Sequence, residues 1–173
     1  FSARAQQFFD IADEIPSFNE TELRGAVFFP LADKLRFSLG ASLHAITGAS
    51  ASELPIDARV FNGGPNSVRS FEGRELGPRS ARSSTPLGGT SAFVGSAELS
   101  YEIVKNLEFA VFGDVGSLNT GESDAPYDVS TDLRTAVGAG LRYRLPFGPI
   151  RVDYGYNLDR REEEDQGVLH ITV

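Results

Sequence analysis

Residues 134–157 read RTAVGAGLRYRLPFGPIRVDYGYN, and their two-residue rhythm decides the fold. In 134–145, Val137, Leu141, Tyr143 and Leu145 alternate with Arg134, Gly138, Gly140, Arg142 and Arg144. In 148–157, Ile150, Val152, Tyr154 and Tyr156 alternate with Arg151, Asp153, Gly155 and Asn157. A β-strand turns successive side chains to opposite faces, so each segment reads as a strand with one apolar face. Only Pro146 and Phe147 separate them, which makes the pair an antiparallel hairpin. The rhythm recurs on both sides. In 106–116, Leu107, Phe109, Val111 and Val115 oppose Glu108, Ala110, Phe112 and Asp114. In 34–45, Leu35, Phe37, Leu39 and Leu43 oppose Lys34, Arg36, Ser38, Gly40, Ser42 and His44. Weaker strands at 2–11, 22–29, 91–103 and 168–173 bring the number to about eight.

The connections sort themselves. Tight turns are expected at 31–33, 104–105 and 146–147, and long polar loops at about 12–20, 46–90, 117–132 and 158–167. Short and long alternate along the chain, the layout of an antiparallel up-and-down barrel with turns at one end and loops at the other. The polar face is rich in small residues and carries opposite charges in mid-strand, at Arg36, Glu98, Asp114, Arg142 and Asp153. That composition suits the inside of a membrane barrel better than a solvent-facing sheet. The fold class is therefore all-β, an antiparallel up-and-down transmembrane β-barrel, with 1–173 as one barrel domain or barrel fragment. Mean hydropathy of -0.18 agrees, because a barrel strand needs only every second residue apolar. No apolar run approaches the roughly 20 residues of a membrane helix.

The chain of 173 residues carries a net charge of -8, which argues against nucleic acid as a partner. It has no cysteine, hence no disulfide framework and no thiolate metal site. His44 and His170 are the only histidines and lie far apart, so no metal is expected. The glycine pairs 63–64 and 88–89 lack the helix start and lysine of a phosphate cradle. No carboxylate pair is singled out for acid–base work, so neither catalytic residues nor a cofactor are expected, and the protein reads as a non-enzyme. The charge run at 159–165, DRREEED, reads as a solvated loop.

Residues 62–78, NGGPNSVRSFEGRELGP, carry the candidate site. Glycines and prolines suit a long loop that folds back on itself, and Arg69 between Val68 and Phe71 offers a planar fork of donors to carboxylates. The alternative is an exposed arginine on a solvated loop. The segment resembles the long loop of the BamA/TamA superfamily of outer-membrane assembly factors, the bacterial surface antigen family. That loop carries Gly-Gly, Val-Arg-Gly-Phe or Tyr, and Leu-Gly-Pro. Here the matching residues are Gly63, Gly64, Val68, Arg69, Phe71, Leu76, Gly77 and Pro78, with Ser70 in place of the motif glycine. The likeness extends to residues 96–99, to 112–116 (Phe-Gly-Asp-Val-Gly), to 138–143 and to 148–154, in the family's order.

The resemblance implies a sixteen-stranded barrel of which this chain is the C-terminal half, without the POTRA domains and the first strands. It implies that the loop of about 46–90 enters the lumen and that Arg69 pairs there with Glu98 and Asp114 on the wall, acting as a loop lock. Residues 170–173, His-Ile-Thr-Val, end without the family's usual terminal aromatic, so the last strand reads as cut short. The implied location is the outer membrane of a Gram-negative-type cell. The implied activity is insertion or translocation of outer-membrane proteins through a barrel seam. Implied partners are outer-membrane lipids, unfolded outer-membrane protein clients, and periplasmic or lipoprotein partners reached through the missing N-terminal domains. A passive pore or structural barrel, and a soluble β-barrel ligand binder, are the alternative functions.

Overall fold

The computed structural model describes residues 1–8, 17–80, 82–121, 132–146 and 148–173. Eight strands form one sheet: β1 (Ser2–Phe8), β2 (Phe18–Ala32), β3 (Leu35–Thr47), β4 (Ser91–Val104), β5 (Leu107–Asn119), β6 (Arg134–Leu145), β7 (Gly148–Asn157) and β8 (Gly167–Thr172). Each strand pairs antiparallel with its neighbour in sequence, in the order β1 to β8. The sheet is open, with β1 and β8 as its edges. A single turn of 3-10 helix, Ile56–Ala58, lies in the long connection between β3 and β4. Among the described residues no helix is long and apolar enough to cross a membrane.

Burial along the strands is inverted relative to a soluble sheet. Phe109, Val111, Val137, Leu141, Val152 and Tyr154 are exposed, and Leu107 and Ile150 are half-exposed. The alternate residues Glu108, Ala110, Phe112, Asp114, Ala136 and Asp153 are buried. The apolar residues therefore form the outer face, and the polar residues lie on an inner face that the 48–90 connection covers. Apolar outside and polar within is the sidedness of a strand that meets lipid. The fold is all-β, an antiparallel up-and-down transmembrane barrel of which this chain supplies eight strands.

Strand ends depart from the expected ones for local reasons. The first turn falls at residues 33–34, not 31–33, because β2 runs on through Pro30. Proline cannot donate to a ladder, and the register accordingly shifts between Pro30 and Ala32, a bulge that absorbs it. The second turn is 105–106, with Asn106 at φ 69°, a conformation asparagine tolerates. β2 starts at Phe18 and β5 continues to Asn119, both inside expected loops. The expected strand end at 9–11, most of the loop at 12–20, most of that at 117–132, and Phe147 lie outside the described residues.

The hydrophobic core sits on the inner face and is built largely by the long connection. Leu54, Val60, Val68, Phe71 and Leu76 come from it, and pack with Phe18, Ile46, Ala92, Leu118 and Ala136 of the sheet. The connection is thus a packed insert with its own apolar anchors.

Candidate functional site

Two short bridges hold the stem of the loop, Val60 with Gly89 and Asn62 with Leu76. The Leu76 amide donates to the Asn62 carbonyl at 3.0 Å. Asn62 reaches further: its Nδ2 donates to the Ser117 carbonyl at 2.8 Å and the Phe93 carbonyl at 3.1 Å, while its Oδ1 accepts from the Gly63 amide at 2.9 Å and from the Ser67 hydroxyl. One buried amide thereby joins the stem to β4 and β5. The chain then reverses at Gly63, φ 102°, where a Cβ would lie 2.7 Å from the Glu72 carbonyl oxygen. Only glycine fits such a turn. Gly64 and Gly77 share positive φ. Pro78 closes the segment, its carbonyl accepting from the Leu87 amide at 2.9 Å.

That stem carries Val68, Arg69, Ser70 and Phe71 down onto the inner face, all four buried. Ser96 and Asp114 are register partners on β4 and β5, and Glu98 is the next inward residue of β4. Arg69 meets all three. Its Nε and Nη2 donate to the two oxygens of Asp114 at 2.8 Å each, its amide donates to Asp114 Oδ2 at 3.2 Å, and Nη1 donates to Glu98 Oε2 at 3.1 Å. The Ser96 hydroxyl accepts from Nη2 at 3.2 Å and donates to Asp114 Oδ1 at 2.7 Å. Beneath, the guanidinium carbon lies 3.2 Å from the centre of the Phe112 ring. A planar fork, bidentate to one carboxylate and stacked on an aromatic face, uses everything that distinguishes arginine from lysine.

The charges around it balance. Arg142 pairs with Glu98, Arg151 donates to Asp153 at 2.7 Å, and Arg69 Nη1 lies 3.8 Å from Asp153. Three guanidinium groups thus face the three carboxylates Asp114, Glu98 and Asp153. Arg69 is 4% exposed and Asp114 3%, so loss of Arg69 strands the Asp114 charge away from water, a loss of about 3–5 kcal/mol. The fit also depends on what the wall lacks. A Cβ at Gly155 of β7 would sit 2.2 Å from the Arg69 carbonyl oxygen, and one at Gly116 of β5 would sit 2.6 Å from Val68 Cγ2. The tip lies flat on bare backbone.

A second cluster holds the loop at the start of β6. Arg134, at the start of β6, is buried, donates to Glu164 Oε1 at 2.8 Å and the Asp159 carbonyl at 2.6 Å, and its guanidinium carbon lies 5.1 Å from the Phe71 ring centre. Asp159 accepts from the Thr135 amide at 2.8 Å and from the Thr135 hydroxyl. These bonds lower the Asp159 pKa, against a smaller upward push from burial and with help from the Arg134 charge. Burial raises the pKa of Glu164, but pairing with Arg134 and the Arg161 amide outweighs it and holds the carboxyl below its ordinary range. The run at 159–165 is therefore only partly a solvated loop: Glu162 and Glu163 are exposed, while Asp159 and Glu164 fasten the β7–β8 connection over Phe71.

Sequence patterns did not single out Asn62, Ser96 or Arg134. Asn62 had a signal, since an amide just before Gly-Gly is a common turn builder. Arg134 had none, because its partners lie in another loop. His44 and His170 are not neighbours: His44 Nε2 lies 2.7 Å from Glu20, and His170 Nε2 lies 3.1 Å from the Arg69 carbonyl.

The chain matches the Omp85 superfamily domain over residues 1–173. It is 28% identical over 124 residues to the outer membrane protein assembly factor BamA of Nitratidesulfovibrio vulgaris, which covers 70% of the chain. It is 36% identical over 114 residues to BamA of Neorickettsia risticii, covering 62% of the chain. In each case it spans only 15% of the relative's length. Among solved structures, BamA from Haemophilus ducreyi lacking POTRA domains 1-3 superposes with a TM-score of 0.66 at 20% identity, over 92% of this chain and 36% of that one. With the domain match running the length of the chain and an inverted barrel wall to go with it, this chain belongs to the Omp85 superfamily of outer-membrane assembly and translocation barrels.

Proposed function

We propose that, within its full-length protein, this chain acts in the insertion or translocation of outer-membrane proteins, and that it does so mechanically. The observation that carries the reading is the buried bidentate pair between Arg69 and Asp114. Residues 1–173 work as one barrel unit whose long loop is directed into the lumen. Arg69, Glu98 and Asp114 lock that loop, which braces the wall while a seam between barrel ends opens. An unpaired strand edge at the seam templates an incoming strand through backbone hydrogen bonds. The partners are outer-membrane lipids around the apolar face, unfolded outer-membrane proteins at the seam, and periplasmic or lipoprotein partners bound by domains outside this chain. The relatives named as assembly factors support the reading.

The test is folding of a client barrel into proteoliposomes that contain the full-length protein. Arg69→Ala is expected to lower the client's folding rate well below wild type while the variant itself stays inserted. Client folding at the wild-type rate would remove the bracing role. Ion conductance without any effect on client folding would make the barrel a passive pore.

A further inference from the structure

The inner-face contacts of Arg69 do not stop at its side chain. Its carbonyl oxygen is placed against β7, where only the missing Cβ of Gly155 lets it approach, and it lies 3.1 Å from Nε2 of His170 on β8. A carbonyl only accepts, so Nε2 carries the hydrogen of that bond. His170 is the register partner of Asp153 and shares its inward face. One loop residue therefore touches β4, β5, β7 and β8: its guanidinium holds the first pair, while its carbonyl lies against β7 and accepts from β8.

β8 is the shortest strand among the described residues. It has six residues, pairs only with β7, and presents its other edge with no partner among the described residues. A strand held by one ladder opens more readily than one held by two. We propose that His170 is a positioning residue that ties the tip of the Arg69 loop to β8, so that the loop tip and β8 come loose together. The tie deepens the bracing reading and rests on it: the loop is fastened to β8 as well as to the wall behind.

Backbone hydrogen exchange of the full-length protein in lipid nanodiscs tests this, read at residues 67–71 and 167–172, with 107–119 as reference. His170→Ala is expected to speed exchange about three- to tenfold in both windows, the size a net hydrogen bond confers, with the reference unchanged. His170→Gln, whose amide nitrogen donates at similar reach, is expected to restore both. Faster exchange in β8 alone, in neither window, or in both windows without rescue by glutamine overturns the tie. Arg69→Gln probes it from the other side and is expected to speed 167–172. Unchanged protection there overturns the tie even where His170→Ala fails to fold. The two proposals fail separately. If Arg69→Ala slows client folding but His170→Ala leaves both windows at wild-type protection, bracing stands and the tie falls. If both windows loosen together while Arg69→Ala folds clients at the wild-type rate, the tie stands and bracing falls.

Discussion

Arg69 and Asp114 depend on each other unequally. Without Asp114, Arg69 keeps Glu98 and the more distant Asp153; without Arg69, Asp114 keeps, among the described residues, only the Ser96 hydroxyl and a charge with no cation. Arg69→Ala should therefore lower the unfolding free energy of the full-length protein by about 3–5 kcal/mol in urea titrations from lipid vesicles. Arg69→Lys should recover only part of that, because an ammonium has no planar fork. In a double-mutant cycle the Arg69–Asp114 coupling should exceed about 1 kcal/mol, as expected for groups in direct contact. A coupling near zero would make the contact incidental. Ser70, in the family's glycine position, is buried and lies outside the positive-φ region, so its Cβ is accommodated without moving Arg69 off its partners. Family motifs made Arg69, Glu98 and Asp114 legible as a group before any fold was in hand. His170 was not legible, because its partner stands 101 residues away and no local pattern encodes such a contact; Asn62 carries a turn signal, but its reach to Ser117, 55 residues on, is equally unencoded.

Among the elements, strands were more legible than their ends. Alternation in β5, β6 and β7 follows directly from one face meeting lipid and the other a packed insert, so it is written into every second residue. The ends depend on single events, such as the bulge after Pro30, that periodicity does not report. The glycines of β5 and β7 were visible as small residues, but their purpose was not. Gly155→Ala should displace the loop tip and destabilise by about 1–3 kcal/mol, as overpacking does. Gly113→Ala, whose Cβ would find its nearest neighbour 3.8 Å away, should leave the urea midpoint nearly unchanged. Equal effects would mean that the tip has slack. The β7–β8 connection should respond to acid. Its carboxyls at 159 and 164 have depressed values in the folded protein, so their contribution is complete above the ordinary carboxylate range and is lost as pH falls through those lower values. A spin label at Glu162 should gain mobility on acidification, and Glu164→Gln should be mobile already at neutral pH. A label equally immobile across the titration would place the fastening elsewhere.

The molecule as a whole is a wall with a packed insert. Its outer face carries Val111, Val137, Leu141, Val152 and Tyr154 in the open. Labels at those sites should collide with oxygen and be shielded from a polar relaxation agent in a bilayer, and the reverse pattern would mean that this face packs against protein. Arginine at Val111 or Val152 should cost about 2–4 kcal/mol near the bilayer midplane. Because strand order follows chain order, the sheet can form hairpin by hairpin from contacts between near neighbours. The β3–β4 pairing, which spans the long loop, and the tip of that loop are exceptions: the tip must wait 45 residues for Asp114 and 101 for His170. The entropy of closing so large a loop is recovered only once the distant strands exist. Full seating of Arg69 is thus expected only once β4, β5, β7 and β8 have formed, and a polypeptide that lacks β7 or β8 leaves the tip without part of its seat. The loop reports on assembly: it comes to rest only where β4, β5, β7 and β8 all stand in place.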